Sequence, residues 1–170
     1  MLAPAQNIRS RALVKTTLYP YQKEGILFAA KAGRCLVGDD MGLGKTVQAI
    51  GATEVLARDF GVERVLIVCP TSLKYQWKSE IEKFCGRASE VIEGSSLRRS
   101  AAYGSPAFFK IASYHMAFRD LDVILKNPPD MVILDEAQRI KNWQTRTAQS
   151  IKQIPSTYAI VLTGTPLENK

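Results

Sequence analysis

The sequence predicts an α/β fold, a mostly parallel sheet with helices on both faces. Three observations predict it. Short apolar runs alternate with segments of helical periodicity along the chain, the pattern of βαβ units. The apolar runs carry β-branched residues without strict alternation, as strands covered on both faces do. Two of the runs lead into chemistry-bearing loops, at the strand ends where open parallel sheets bind ligands.

Taken in order, residues 1–17 read as a basic leader or flexible docking segment, and the packed domain is expected over 18–170. A helix is expected over Tyr21–Ala32, a strand over Cys35–Gly38 and a helix over Lys45–Asp59. In that second helix Val47, Ile50, Val55 and Leu56 fall near one helical face. A strand follows over Arg64–Cys69, then a helix over Ser72–Phe84, where Leu73, Trp77, Ile81 and Phe84 recur at helical spacing. Residues 86–106, rich in Gly, Ser and Arg, commit to neither state. Beyond them come a strand over Phe108–Ser113 and a helix over Met116–Lys126. The breaker Asn127-Pro128-Pro129-Asp130 precedes a strand over Met131–Asp135. A helix over Thr145–Gln153 and a strand over Tyr158–Thr163 complete the pattern.

The 170 residues, 46% of them hydrophobic, make about one domain with a real core, which excludes a disordered chain. Three cysteines without CxxC spacing argue against a disulfide framework and against a zinc site, and a reducing compartment is the default. A single histidine, His115, excludes a histidine-based metal cluster, and it reads as structural. The N-terminus lacks the apolar stretch of a signal peptide and no window approaches a membrane span, so a soluble intracellular protein is expected. The net charge of +7 invites a polyanion, though a solvated helix face and a basic tail account for it as well. The charge is concentrated in Arg9, Arg11 and Lys15, and in Arg139, Lys141, Arg146, Lys152 and Lys170.

The strongest local signal is Gly38-Asp39-Asp40-Met41-Gly42-Leu43-Gly44-Lys45-Thr46, a strand entering a loop and then a helix. Gly42 and Gly44 permit backbone conformations that turn N–H groups toward a phosphate, and the helix N-terminus adds partial positive charge. Lys45 can reach the β/γ-phosphates and the Thr46 hydroxyl can ligate Mg²⁺. The strict phosphate-loop pattern has glycine where Asp39 stands. Downstream, Met131–Leu134 is an apolar strand ending in Asp135-Glu136-Ala137-Gln138. Beside a nucleotide, Asp135 suits the metal and Glu136 suits polarising the attacking water. Leu162-Thr163-Gly164-Thr165-Pro166 ends the last strand with hydroxyls able to sense a γ-phosphate.

These segments resemble the first RecA-like lobe of a superfamily 2 helicase-like ATPase, more narrowly of the Swi/Snf family. LYPYQKEGI (18–26), DDMGLGKT (39–46), IVCPTSLKYQWKSEIEKF (67–84), ILDEAQRIKN (133–142) and LTGTPLEN (162–169) carry the match in order. Their compact spacing fits a prokaryotic-type member, placed in cytoplasm or nucleoid; a eukaryotic one would be nuclear. The family's phosphate loop accepts Asp at its first position. The resemblance implies a RecA-like three-layer sandwich, the P-loop NTPase fold, in a DNA-dependent ATPase and double-stranded DNA translocase.

Carried over, Gln22 reads adenine with Tyr19 or Tyr21 as ring neighbour. Asp39, Asp40, Met41, Gly42, Leu43, Gly44, Lys45 and Thr46 cradle ATP, and Thr46 and Asp135 hold Mg²⁺. Gln138 stands where this family more often has His, so coupling through it should not titrate near neutral pH. Thr163 and Thr165, with Gln138, would link nucleotide state to the DNA track. For DNA contact the resemblance points to Thr71, Ser72, Lys74, Ser113, Arg139 and Lys141, which offer hydroxyls and charge to phosphates without sequence readout. It also implies a second RecA-like lobe, needed for the arginine finger, so that this lobe alone would bind nucleotide and turn over negligibly. A generic phosphate-loop NTPase or an RNA-directed superfamily 2 lobe is the remaining alternative. Trp77 reads as a core residue rather than a stacking platform, while Trp143 is open between a surface and a lobe-interface role.

Overall fold

The computed structural model describes residues 14–38, 44–140 and 145–164. Six strands form one sheet: β1 (Arg34–Val37), β2 (Val65–Cys69), β3 (Ser89–Val91), β4 (Phe109–Ser113), β5 (Met131–Leu134) and β6 (Tyr158–Leu162). All pairings are parallel, in the order β1-β6-β5-β2-β4-β3. The helices are α1 (Pro20–Ala32), α2 (Lys45–Phe60), α3 (Lys74–Phe84), α4 (Ser96–Tyr103), α5 (Tyr114–Arg119), α6 (Leu121–Lys126) and α7 (Arg146–Lys152).

The three layers follow from period-two burial within wholly apolar strands. Val65, Ile67 and Cys69 of β2, with Met131 and Ile133 of β5, face a core completed by Ile26, Ile50, Leu56, Trp77 and Ile81 of α1, α2 and α3. Leu66 and Val68, with Val132 and Leu134, face the opposite core with Ala102, Ala117, Ile124 and Ile151 of α4 to α7. Fully burying one such side chain contributes roughly 1.5–3 kcal/mol. The central strands are therefore the most firmly held part of the domain, and the site hangs from their ends. Val14 is buried in the first core, and the Lys15 N–H donates to the Phe84 carbonyl at 2.6 Å. Thus the end of the basic segment is packed against the body.

The structure differs from the expected elements in three places. The undecided 86–106 stretch forms β3, paired with β4, and α4, whose N-terminus Ser95 caps by accepting the Arg98 N–H at 3.2 Å. The expected Met116–Lys126 helix begins at Tyr114, because the Ser113 hydroxyl caps it by accepting the Met116 N–H at 3.1 Å. It then breaks at Asp120, whose carboxylate takes both Nε and Nη2 of the buried Arg99, at 2.8 and 2.9 Å. Finally, the expected helix over Ser72–Phe84 starts with a 3₁₀ turn, Thr71–Leu73, before α3. His115, expected to be structural, is exposed on α5.

A candidate nucleotide site at the carboxyl ends of three strands

The chain leaves β1 at Gly38 and re-enters the described structure at Gly44, the residue before α2. Gly44 sits at φ 76° and ψ 35°, the left-handed region that glycine adopts without penalty. A second constraint acts there too: a Cβ at this position would collide with the side-chain amide of Gln22. Gln22 is itself fixed, buried, and accepts the Tyr19 N–H on Oε1 at 2.9 Å. So Gln22 stands against Gly44, with Tyr19 and Tyr21 stacked on each other nearby in the chain, ring centroids 5.9 Å apart. Asp39, Asp40, Met41, Gly42 and Leu43 lie outside the described residues.

Lys45 and Thr46 open α2, half-buried, with no acid in the first turn and no side-chain cap among the described residues. An uncapped N-terminus directs N–H groups and partial positive charge toward the loop. The Lys45 ammonium donates to the Thr163 carbonyl at 3.1 Å, which ties α2 to the end of β6. Thr163 is fully buried, and its N–H donates to the Val37 carbonyl at 3.1 Å.

At the end of β5, Asp135 is held on every side. Its N–H donates to the Val68 carbonyl at 2.8 Å, extending the β2–β5 ladder by one residue. Carboxylate Oδ2 accepts the Trp77 indole N–H at 2.8 Å, and Oδ1 accepts the Glu136 N–H at 2.9 Å. Its carbonyl accepts the Tyr114 hydroxyl at 2.6 Å. Burial pushes the Asp135 carboxyl up from its ordinary range, against the lowering effect of the Trp77 and Glu136 donors and of the Lys45 charge. The same burial, with Asp135 adding to it, pushes the neighbouring Cys69 thiol up to about 12, so that thiol is inert at neutral pH.

Glu136 adopts φ 52°, the one non-glycine residue in the left-handed region among those described. Such a residue costs about 1–3 kcal/mol and persists where its surroundings over-determine it. Here those surroundings are Gln138 and Arg139. The Gln138 Nε2 donates to Glu136 Oε2 at 2.6 Å, and Arg139 Nε lies 3.5 Å from the same oxygen. On its other side Gln138 accepts the Gly164 N–H on Oε1 at 3.1 Å. A Cβ at residue 164 would lie 3.1 Å from Gln138 Nε2, so the small residue there permits the close approach.

Lys45, Asp135, Glu136, Gln138 and Thr163 are thus brought together from three distant segments. The residues expected to meet DNA divide. Thr71, Ser72 and Arg139 are exposed. Lys74 and Ser113 are buried, and the Ser113 oxygen is engaged in capping α5, so neither presents itself to a phosphate as the sequence led one to expect. Lys141, Thr165 and Trp143 lie outside the described residues. Trp77 is in the core as expected, 2% exposed, but its contact with Asp135 was not foreseen. The signal available was general: a buried indole N–H needs an acceptor.

The all-parallel sheet order, with residues gathered at the carboxyl ends of β1, β6 and β5, defines a RecA-like α/β domain. Residues 21–170 match the SNF2-related domain, and the chain belongs to that family. It is 35% identical over 161 residues to the human DNA annealing helicase and endonuclease ZRANB3, covering 90% of this chain and 15% of that protein. With the human DNA repair and recombination protein RAD54B it shares 34% identity over 170 residues, 89% of this chain and 19% of that one. Among solved structures it resembles the Sulfolobus solfataricus SWI2/SNF2 ATPase core in complex with dsDNA, with a TM-score of 0.85 and 30% identity. That match covers 100% of this chain and 35% of that one. The chain therefore spans less than a fifth of these two curated relatives. No described helix is long and apolar enough to cross a membrane.

Proposed function

We propose that this chain is the ATP-binding half of a DNA-dependent ATPase that translocates on double-stranded DNA. One observation carries the reading: a continuous hydrogen-bonded path through the site. It runs from the Lys45 ammonium to the Thr163 carbonyl, from the adjacent Gly164 N–H to Gln138, and from Gln138 to Glu136. The Glu136 N–H then bonds Asp135. A phosphate gained or lost beside Lys45 disturbs this path at both ends, which is what a nucleotide-driven motor requires. Family membership and the likeness to a dsDNA-bound SWI2/SNF2 core support the same reading.

In this reading residues 39–46 and the α2 N-terminus receive the phosphates, and Lys45 leaves Thr163 to pair with them. Gln22 meets the adenine edge, beside Tyr19 or Tyr21. Thr46 and Asp135 would hold Mg²⁺, which when bound neutralises phosphate charge. Their donor set fits: a carboxylate and a hydroxyl are hard oxygen ligands. Among the described residues no group of three His, Cys, Asp or Glu could cage a metal alone, and Mg²⁺ characteristically completes its shell with water and nucleotide oxygens. Glu136 orients the attacking water, while Gln138, Thr163 and Thr165 pass nucleotide state toward the DNA side.

In this reading an arginine from a second RecA-like lobe would stabilise the charge that develops on the transferring phosphoryl group. Arginine fingers are worth about 10³–10⁵ in rate. ATPase assays with and without duplex DNA should therefore find this chain near background, and the same chain joined to a second lobe strongly DNA-stimulated. Robust stimulated turnover by the chain alone would sink the two-lobe reading.

Thr71, Ser72 and Arg139, with Lys141, form the proposed track along the DNA backbone. Duplex affinity should fall steeply with salt, and Arg139→Ala should reduce the slope of log K against log salt by about 1, equally for unrelated sequences. Fluorescence anisotropy across a salt series measures it.

A further inference from the structure

Asp135 is gripped from both faces of the sheet. Trp77 comes from α3, which lies on the face shared with α1 and α2. It is 2% exposed, and its indole N–H donates to the carboxylate at 2.8 Å. Tyr114 comes from α5 on the opposite face, packed against the second core, and its hydroxyl donates to the Asp135 main-chain carbonyl at 2.6 Å. The two donors control different freedoms. The indole N–H sets the rotation of the carboxylate, whereas the phenol sets the carbonyl at which the chain turns out of β5 into the strained Glu136. Each carboxylate oxygen has thereby accepted one N–H, which leaves the remaining lone pairs in a defined direction. Core packing alone demands none of this. A buried indole can satisfy its N–H on any backbone carbonyl, yet here it is spent on a desolvated acid.

We propose that Trp77 and Tyr114 are positioning residues that aim the Asp135 carboxylate at the metal accompanying bound nucleotide. The inference rests on the assignment of Asp135 to Mg²⁺ made above. Outer-sphere donors of this kind orient a ligand, and their loss typically costs about 10–100-fold in metal affinity or activity. Both donors are spent on Asp135, so their effect should be specific to the metal. Both donors also lie within the first turns of helices that follow β2 and β4.

The test is ADP binding to this chain by calorimetry, once in EDTA and once at saturating Mg²⁺. The ratio of the two dissociation constants is the factor by which the metal tightens the complex. Trp77→Phe keeps the ring in the core and removes the donor, and Tyr114→Phe removes one hydroxyl. Trp77→Phe should lower the ratio by about 10-fold, near the lower bound for such donors. Tyr114→Phe should lower it by less, in the same direction, and ADP affinity in EDTA should hold in both. Asp135→Asn is the reference. A collapsed ratio in Asp135→Asn beside unchanged ratios in both phenylalanine variants overturns the positioning role and leaves the metal assignment standing. An intact ratio in Asp135→Asn overturns the assignment itself and the inference with it. Equal losses with and without Mg²⁺ at constant ratio also overturn the proposal, because they mark general packing. Should Trp77→Phe fail to fold, Tyr114→Phe alone decides by the same ratio.

Discussion

Lys45→Ala should cut the rise in thermal stability that ATP or ADP gives this domain to about half or less. The unaltered chain with nucleotide at about 100 times its dissociation constant gains about 2.7 kcal/mol by mass action. For a domain of this size that amounts to a Tm increase of about 5–10 °C. Removing a charge-assisted contact to phosphate costs roughly 1.5–3 kcal/mol, or about 10–100-fold in affinity. At the same nucleotide concentration the gain then falls to between about 1.4 kcal/mol for a 10-fold loss and about 0.4 kcal/mol for a 100-fold loss, that is, to about half of the original Tm shift or less. The substitution itself should fold well. Lys45 lies in the first turn of α2, is half-buried, and gives up its bond to the Thr163 carbonyl. Alanine is the better helix former at the position. Differential scanning fluorimetry with and without MgADP checks it, and an unchanged nucleotide-dependent shift would refute the phosphate loop.

How much of this was legible in the sequence depends on the range of the interactions. The central strands were legible because a run such as Met131–Leu134 is apolar at every position, and a strand buried on both faces needs that. The placement of Lys45 at a helix start and of Asp135 at a strand end was legible because both sit in local strand-to-loop patterns. The region 86–106 was not, since α4 is locked by Arg99 bonding Asp120, 21 residues away, and nothing in its own Ser- and Arg-rich pattern announces a buried arginine. The same pair explains why an apparently continuous helix breaks at Asp120, although the apolar spacing runs on through Leu121 and Ile124. Burial also separated Lys74 and Ser113 from their exposed neighbours Thr71 and Ser72. A sequence motif reports which residue types occur, and only packing decides which of them meet solvent. The link from Trp77 to Asp135 spans 58 residues and three strands, beyond any local signal.

Glu136→Gln should separate binding from chemistry in the opposite sense to Lys45→Ala. In the proposed reading the glutamate polarises the attacking water, and loss of a positioned general base typically costs about 10²–10⁴-fold in rate. Glutamine keeps the length of the side chain and an oxygen that can still accept the Gln138 Nε2, now at 2.6 Å from Oε2. The left-handed backbone at residue 136 is equally strained for both residues, so folding stability should change little. What disappears is the charge, and with it the exposed contact to Arg139, a kind of surface pair that contributes little. Nucleotide affinity should consequently hold within about threefold, since the proposed phosphate contacts are those of Lys45 and the α2 N-terminus. Measured in a protein carrying both lobes with duplex DNA present, turnover should fall by the full factor while MgADP binding persists. Undiminished turnover would move the catalytic carboxylate away from Glu136. The chain from Glu136 through Gln138 to Gly164 would then be purely structural, and the strain held at residue 136 would lack a purpose in catalysis.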